Sequence, residues 1–234
     1  MPAFLKNIEP YIGDGSRNEK GQTLEEFLEE YDPKKYENPC MTADVLVVRH
    51  PVPFTEVERG LKVLMVKRRN HPSIGFWALP GGFVEIKEDL DLAAKRELQE
   101  ETGLTDVEVA LVTTYGDVTR DPRARVITAS YVALVDESVA IQAGDDAADA
   151  AFMDVSMDLV ESSEQNGVCK ETYRIKLLNN NRNVSLEADV ESWYNVKGIL
   201  RDRKYRVVNS RGIAFDHARS IVQTLLFLRG LCEK

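Results

Sequence analysis

The sequence predicts an α/β sandwich, in which helices pack on the two faces of a mixed β-sheet. The first observation is that Val- and Leu-rich runs, typical of buried strands, alternate along the chain with two main helices of apolar periodicity. The second is a stretch of alternating apolar and polar residues divided by an Asn-rich turn, which predicts an inserted β-hairpin. We divide the chain into an N-terminal extension, residues 1–40, and a main domain, residues 41–234.

The extension is predicted to contain one short helix. Residues 1 to about 22 are polar and contain glycines, which indicates a loosely ordered lead-in. The segment TLEEFLEEYDPKKYENP then has the pattern of a short amphipathic helix. Thr23 is suited to cap its N-terminus, and Pro33 is placed to stop it.

The main domain begins with two predicted buried strands, MTADVLVVRH and LKVLMVKRR, separated by the turn-like PVPFTEVERG. The segment EDLDLAAKRELQEETG is the clearest helix, because Leu90, Ala94 and Leu98 recur every four residues. Gly103 stands where a helix C-terminal glycine is expected. Two further strands, VEVALVTTYG and RVITASYVALV, follow this helix.

The last third of the chain is predicted to be less regular. The stretch GDDAADAAFMDV indicates a loop that leads into a short strand. An insertion of about residues 156–212 contains the hairpin, which alternates through Tyr173 and resumes after the turn at Val184. The apolar-periodic segment IAFDHARSIVQTLLFLRG then predicts a C-terminal helix over about residues 213–229.

Charge and composition limit the classes of partner. The chain has 39 acidic and 30 basic residues, a formal net charge of -9, which argues against sequence-independent binding to nucleic acid. A small anionic ligand stays possible, because local arginines or a bound metal can hold it. Three widely spaced cysteines without a C-x-x-C motif indicate a reducing compartment. Without a leader-like start or a membrane-length apolar run, we expect a soluble, cytoplasmic protein with no membrane partner.

The central helix carries an unusual group of acids. Glu97, Glu100 and Glu101 are three and four residues apart, so all three carboxylates can point to one side, roughly 100° from the apolar stripe. Like charges at this spacing repel by a few tenths of a kcal/mol per exposed pair, about 0.2–0.5. Clustered carboxylates suit hard cations such as Mg²⁺ or Mn²⁺. The charges alone also fit an ordinary solvated face, so both interpretations stay open.

The residues around these acids complete a motif that is typical of one protein family. The spacing G-x5-E-x7-R-E-U-x-E-E-x-G-U, in which U is apolar, is matched at every fixed position. The matching residues are Gly82, Glu88, Arg96, Glu97, Leu98, Glu100, Glu101, Gly103 and Leu104. This pattern is the Nudix box, and the chain resembles the Nudix hydrolases.

The resemblance implies a Nudix-type α/β/α sandwich and hydrolysis of a nucleoside diphosphate linked to another group. It implies that Glu97, Glu100 and Glu101 hold divalent metal, Mg²⁺ or Mn²⁺, with the backbone carbonyl of Gly81 as a further ligand. It also implies that Arg96 orients the carboxylates through an ion pair. Glu88 would support the loop or an outer metal.

The box does not identify the general base. In the family the base is a box glutamate or an acid on a later loop, which here is AGDDAADAAF. We expect Asp146 to be the base, with Asp145 and Asp149 as neighbours. The alternative, that these aspartates only cap a turn, stays open.

The substrate is suggested by weaker similarities. The segments VKRRNHPSIGFWALPGGFVE, RDPRARVITASYVALV, GDDAADAAF and IAFDHA, and Pro122 after the box, resemble the ADP-ribose pyrophosphatase branch over about residues 24–229. This resemblance implies hydrolysis of ADP-ribose to AMP and ribose 5-phosphate. The side chains proposed to contact substrate are Arg68, Arg120 and Arg123 on phosphate or ribose, and Trp77 or Phe76 on adenine. Alternatively, the arginines form surface ion pairs, and the aromatic residues pack in the core or at the sheet edge.

Two other hypotheses stay open. The substrate is alternatively NADH, a dinucleoside polyphosphate, a nucleotide sugar or a damaged nucleoside triphosphate. The chain is alternatively a non-catalytic ADP-ribose sensor, since Nudix-derived transcriptional regulators resemble the same branch and carry a winged-helix domain after it. The short stretch after His217 and the intact box glutamates favour an enzyme over a sensor. An alternating apolar hairpin needs cover, so we also expect a homodimer.

Overall fold

A computed structural model describes residues 4–50, 60–141, 147–198 and 202–232. The chain divides into two compact units, Met1–Pro39 and Cys40–Lys234. No helix in the described part of the chain is long and apolar enough to cross a membrane. The candidate site lies wholly within the second unit.

The first unit contains a short 3-10 helix, Glu9–Tyr11, and the helix α1, Leu24–Glu30. Thr23 caps α1 as predicted. Its hydroxyl accepts from the backbone N–H of Glu26 at 3.2 Å, and the Glu26 carboxylate accepts from the backbone N–H of Thr23 at 2.8 Å. This reciprocal pair forms a capping box, which satisfies two backbone donors that the helix itself leaves without partners.

The second unit is built on one mixed sheet of ten strands. The strands are β1 Cys40–Arg49, β2 Lys62–Arg68, β3 Trp77–Ala78, β4 Gly81–Phe83, β5 Ala110–Tyr115, β6 Val126–Val135, β7 Ala147–Gln165, β8 Val168–Asn179, β9 Val184–Asn195 and β10 Lys204–Arg211. Their order is β10-β9-β8-β7-β2-β1-β6-β5, while β3 pairs with β2 and β4 with β1. Strands β1 and β6 are parallel, and the other pairs are antiparallel.

Helices cover both faces of this sheet, as the sequence predicted. The helix α2, Leu90–Thr102, packs Ala94 and Leu98 into the same core as Val45 of β1. The helix α3, His217–Cys232, packs Ile221 into the opposite core with Leu46 of β1. Since neighbouring residues of β1 point to opposite faces and both faces are buried, residues 45–48 of the strand form a continuous apolar run. The architecture is therefore an α/β/α sandwich.

Helix α2 ends where the sequence predicted. Gly103 adopts a left-handed conformation, with φ of 71°, and its N–H donates to the carbonyl of Gln99 at 2.9 Å. Ala94 and Leu98 are fully buried, and the predicted stripe residue Leu90 is partly buried against the same core. The apolar stripe thus fixes which side of α2 remains available for chemistry.

The region after residue 146 is more regular than the sequence predicted. The hairpin is confirmed as β8 and β9, which are joined by a 3-10 helix, Asn180–Arg182. The preceding strand, predicted to be short, is 19 residues long, and the supposedly irregular region consists largely of β7 to β10. Periodicity missed this extent because the outer face of these strands is solvated and carries ion pairs, such as Arg174 with Asp189 at 2.7 Å. Polar strands of this kind lack the apolar signal on which the prediction depended.

Candidate active site

A cavity of about 410 Å³ opens where β1, β2, β4, α2 and the start of α3 meet. Its size is within the range of small-molecule sites, roughly 300–1,000 Å³. Acidic and basic side chains both reach it. The lining residues used below are Asp44, Arg68, Leu79, Gly81, Gly82, Phe83, Glu97, Glu101, Arg120, Asp121, Arg123, Phe215 and His217.

Four acidic residues line the cavity: Asp121, which pairs with Arg123, and a separate group of Asp44, Glu97 and Glu101. Burial raises the pKa of Glu101 to about 7, although a hydrogen bond from the backbone N–H of Gly81, at 3.0 Å, opposes this rise. Burial likewise raises the pKa of Glu97, against the effect of its ion pair with Arg96. The neighbouring carboxylates add to the rise at both positions. This part of the cavity therefore favours either protons or a bound cation.

Two consecutive glycines, Gly81 and Gly82, allow strand β4 to approach these acids closely. A Cβ on Gly82 would lie 2.5 Å from a carboxylate oxygen of Glu97. A Cβ on Gly81 would lie 2.3 Å from the carbonyl oxygen of Ala43, and the φ of Gly81, 152°, is one that other residues rarely adopt. Only glycine therefore fits this close approach.

Arg96 connects the acids of the box. Its guanidinium donates to Glu88 at 2.8 and 2.9 Å, to Glu97 at 2.8 Å and to Glu100 at 3.1 Å. It also donates to the backbone carbonyl of Phe83 at 3.0 Å. Hydrogen bonding to Glu88 is the largest of the effects that raise the pKa of Arg96. These contacts fix the glutamates relative to the loop that precedes the helix.

The three predicted metal-binding glutamates do not share one environment. Glu97 and Glu101 line the cavity, whereas the side chain of Glu100 is 59% exposed, contacts Arg96 and is outside the lining. Within the described residues, no three His, Cys, Asp or Glu side chains converge as a ready metal site. The guanidinium of Arg96 engages both Glu97 and Glu100. The assignment of these glutamates as metal ligands stays a prediction.

All three predicted substrate-binding arginines line the same cavity. Arg120, only 5% exposed, donates to Asp216 at 3.0 and 3.1 Å, and Arg123 donates to Asp121 at 2.8 and 3.0 Å. The Nε of Arg68 donates to the carbonyl of Pro72 at 2.8 Å. Arg120 and Arg123 thus both form ion pairs and line the cavity, but the pair of Arg120 is buried and is not the surface ion pair given as the alternative.

The arginines also contact two aromatic rings that carried no prediction of a functional role. The guanidinium carbon of Arg68 is 4.9 Å from the ring centroid of Phe215, and that of Arg123 is 5.1 Å from the ring centroid of Phe83. These distances are within the range of cation–π attraction. The guanidinium groups in the basic part of the cavity are therefore held by contacts with aromatic rings as well as by hydrogen bonds.

Asp216 lies just before the last helix and His217 is its first residue. Burial alone would raise the pKa of Asp216, but Arg120 and other neighbours hold it below its usual value. Arg219 supports this effect, since its Nη2 donates to Asp216 at 2.6 Å. Burial lowers the pKa of His217, whose Nδ1 accepts from the backbone N–H of Leu79 at 2.8 Å.

Comparison with known proteins identifies the family to which this site belongs. The model of the NUDIX domain matches residues 47–164, about half of the chain. The chain belongs to the NUDIX family. An ADP-ribose pyrophosphatase of Methanocaldococcus jannaschii is 36% identical over 133 residues, which are 56% of this chain and 72% of that protein. The ADPR responsive transcriptional repressor NtrR of Acinetobacter baylyi is 36% identical over 111 residues. That match covers 47% of this chain and 42% of the repressor.

Solved structures that resemble this NUDIX chain include two that cover more than half of it. A MutT/nudix family protein from Enterococcus faecalis has a TM-score of 0.60 and 27% identity, and the match covers 90% of this chain and 70% of that one. The NUDIX domain of Shewanella oneidensis NrtR, solved in complex with ADP ribose, has a TM-score of 0.50 and 32% identity. That match covers 56% of this chain and 82% of the domain. Both agree with the α/β/α sandwich described above.

Some residues expected at the NUDIX site lie elsewhere or cannot be placed. Asp145 and Asp146 lie outside the described residues. Asp149 lies on β7 in an ion pair with Arg182 and does not line the cavity. Trp77 is buried in the core, so adenine stacking at this residue was wrong, and its alternative core role is confirmed. Phe76 is partly exposed and lies outside the cavity lining.

Sequence reasoning missed Asp44, Phe215, Asp216 and His217. Asp44 is the one acidic residue in the predicted strand MTADVLVVRH, and a charge in a buried apolar strand is itself a functional signal. Its carboxylate accepts from the hydroxyl of Thr128 at 2.5 Å. The other three lie within IAFDHA, a segment that carried only a family resemblance.

Proposed function

We propose that this NUDIX chain is a divalent-metal-dependent hydrolase of the pyrophosphate bond in a nucleoside diphosphate linked to another group. The proposed reaction converts ADP-ribose to AMP and ribose 5-phosphate. The observation that carries the proposal is that one cavity combines acids, at Glu97 and Glu101, with Arg68, Arg120 and Arg123. This division suits a ligand that needs a cation at its diphosphate and guanidinium groups at its outer oxygens.

The donor set is compatible with Mg²⁺ or Mn²⁺. Carboxylate oxygens of Glu97, Glu100 and Glu101 and the carbonyl of Gly81 are the hard ligands that these ions prefer. The raised pKa values of Glu97 and Glu101 support the fit, because a cation would offset the cost of their buried charge. When bound, the metal would neutralise diphosphate charge and lower the pKa of an attacking water.

The protein's own residues would bind and orient the substrate. Arg96 holds Glu97 and Glu100 in place relative to the loop, and Glu88 holds Arg96. Arg68, Arg120 and Arg123 would donate to phosphate or ribose oxygens. Asp146 is the proposed general base, with Asp145 and Asp149 as neighbouring candidates.

ADP-ribose is favoured over other nucleoside diphosphates by the relatives. A pyrophosphatase named for ADP-ribose, a repressor named as responsive to ADPR and a NUDIX domain in complex with ADP ribose all match this chain at 32% identity or more. NADH, dinucleoside polyphosphates, nucleotide sugars and damaged nucleoside triphosphates are the competing substrates, because the box itself contacts only the diphosphate.

A second candidate function is ADP-ribose sensing without hydrolysis. The similarity to NtrR and to the NrtR NUDIX domain is the observation that favours it. The complete set of box glutamates favours the enzyme. The net charge of -9 likewise favours a small-molecule partner over nucleic acid.

A substrate screen tests both candidates. Purified protein with Mg²⁺ would be assayed for cleavage of ADP-ribose, NADH, diadenosine polyphosphates, nucleotide sugars and nucleoside triphosphates. We expect ADP-ribose to be among the best substrates by kcat/KM, and we expect chelation by EDTA to stop turnover until Mg²⁺ is restored. A poor kcat/KM for ADP-ribose would refute the proposed substrate. Binding of ADP-ribose without turnover of any compound would favour the sensor.

A further inference from the structure

His217 is a buried histidine that the proposed hydrolysis does not use. It is the first residue of α3, it lines the cavity and it is only 7% exposed. Its Nδ1 accepts the hydrogen bond from the backbone N–H of Leu79. Since a backbone amide can only donate, Nδ1 carries no proton, and the neutral ring holds its proton on Nε2. The ring therefore has an N–H donor on the edge opposite Leu79.

This donor is available to a ligand. Within the described residues, no oxygen of the chain accepts a hydrogen bond from Nε2. A fully buried nitrogen without a partner would be an unsatisfied atom, and among the described residues Nε2 is not one of these. Nε2 is therefore accessible. Because His217 lines the cavity, the N–H must therefore reach its open space. A buried donor in such a position is normally satisfied by a partner, whether protein, water or ligand.

The surroundings of His217 indicate which part of a substrate it meets. Asp44 on the acidic side and Asp216 act on the ring, as do Arg120 and Arg68 on the basic side. His217 therefore shares one cavity with two of the acids proposed for the diphosphate end, Glu97 and Glu101, and with the arginines proposed for outer oxygens. The oxygens expected at this point are those of the diphosphate and of the adjoining ribose.

The backbone holds His217 rigidly in this position. The N–H of Trp77 donates to Gly212 and the N–H of Ala214 donates to Trp77, both at 2.8 Å, which ties the preceding segment to β3. Phe215 then adopts a left-handed conformation, with φ of 48°, which is uncommon for a residue other than glycine. Strained backbone of this kind persists where the surrounding structure fixes it, and it concentrates at ligand sites.

We infer that His217 is a substrate-binding residue whose Nε2–H donates a hydrogen bond to an oxygen of the bound diphosphate or of the ribose beside it. The inference rests on the proposed function, because it places that substrate in the cavity. It adds a neutral donor of fixed tautomer to the charged groups of the box and the arginines. A neutral donor can contact either a phosphate or a hydroxyl oxygen.

The test compares His217→Asn with Ser220→Ala. Asparagine keeps a short acceptor for the N–H of Leu79 but removes the donor at Nε2. Ser220 lies on the same helix, is buried and bonds Ser130 at 2.5 Å outside the cavity lining, so its loss controls for a missing buried hydrogen bond. We expect His217→Asn to lower kcat/KM for ADP-ribose by about 10- to 100-fold, as for loss of a hydrogen bond to a charged group. Ser220→Ala should keep wild-type kinetics, and His217→Gln, which restores an N–H donor, should recover part of the loss.

The same variants distinguish the two kinds of oxygen. An equal defect on ADP-ribose and on diadenosine polyphosphates would assign the contact to the diphosphate, whereas a defect confined to ADP-ribose would assign it to the terminal ribose. A long-range ¹H–¹⁵N correlation spectrum should show the proton of His217 on Nε2, with His217→Asn identifying its signals among the three histidines. A proton on Nδ1, or wild-type kcat/KM and Kd in His217→Asn, would overturn the inference.

Failure of the proposed hydrolysis would be recognised separately. If the wild type bound ADP-ribose by calorimetry but cleaved nothing, the hydrolase proposal would fail, and the Kd of His217→Asn would still decide the role of His217. An increase of about 10-fold or more in Kd would support the hydrogen bond. A wild type that neither bound nor cleaved any member of the panel would overturn both.

Discussion

The box glutamates differ in their surroundings residue by residue. Glu97 and Glu101 are partly buried at the cavity and have raised pKa values, while Glu100 is exposed and bonds to Arg96. A buried carboxylate is costly unless a proton, a donor or a cation compensates it. The metal proposal therefore makes a specific prediction for Glu101, because a bound cation would stabilise its charged form more than that of the other two glutamates.

We predict that Glu101→Gln lowers Mg²⁺-dependent kcat by at least about 100-fold, the scale of losing a principal electrostatic group. Glu100→Gln should also abolish hydrolysis if Glu100 is a metal ligand, despite its exposure. Far-UV circular dichroism should show an intact fold in both. Glu108→Gln, an exposed acid just after the helix, is the matched control and should keep wild-type turnover. Unchanged turnover in Glu101→Gln would refute the metal assignment.

Local spacing in the sequence predicted part of how the box residues meet, since Glu97 and Glu101 line one cavity and Glu100 does not. Residues three and four apart share one face of a helix, so Glu97 and Glu101 were expected together. The ion pair of Arg96 with the glutamates was implied by the family resemblance and not by spacing, and Arg96 does contact Glu97 at 2.8 Å. Asp44 and His217 could not be placed in the same way, because they come from β1 and α3, and only the folded sheet brings them to the same cavity.

At the level of whole elements, local signals predicted α2 well and β7 poorly. The helix carries its own boundaries, since its apolar stripe and the glycine at its end act within a few residues. Strand β7 is instead defined by pairing with β2 along its first half and with β8 along its second. The stretch from Ser156 to Gln165 is largely exposed, so no apolar alternation marked this half as a strand. Its extent depends on partners that a local pattern does not contain.

The start of α3 is tied to the segment that carries Arg120, and this gives a prediction about stability. Asp216 accepts two hydrogen bonds from Arg120 and one from Arg219. We predict that Asp216→Asn lowers the free energy of unfolding by about 3 kcal/mol, because it leaves a buried guanidinium without its counter-ion. Urea unfolding would measure the loss. Asp154→Asn, which removes an exposed ion pair with Lys62, should cost less than about 1 kcal/mol.

The effect of Asp216→Asn should depend on pH with a definite sign. The pKa of Asp216 is lowered below its usual 3.8 in the folded protein. Its carboxylate therefore stabilises the fold fully above the unfolded pKa, and this contribution is lost as pH falls through the folded value. The difference between wild type and variant should be constant near neutral pH and shrink below about pH 4. A difference that grew on acidification would contradict the ion pair.

At the scale of the whole molecule, the structure changes the argument for a homodimer. The sequence suggested a dimer because an alternating apolar hairpin needs cover. The structure shows that α3 of the same chain shares a core with the inner hairpin residues Tyr173, Ile175 and Leu177. The proposal now depends on the far end of β7 and β8, where Leu159, Val160 and Val168 are 52%, 47% and 40% exposed.

We predict that the wild type sediments as a dimer, at twice the 26.4 kDa of the chain, through this end of the sheet. Exposed apolar side chains on this part of the sheet favour association, because contact removes them from water. The double substitution Leu159→Lys with Val160→Lys should therefore give a monomer in sedimentation velocity. Leu92→Lys changes a similarly exposed leucine on α2 and should leave the dimer intact. A monomeric wild type at tens of micromolar would refute the dimer, whereas a dimeric double variant would place the subunit contact elsewhere.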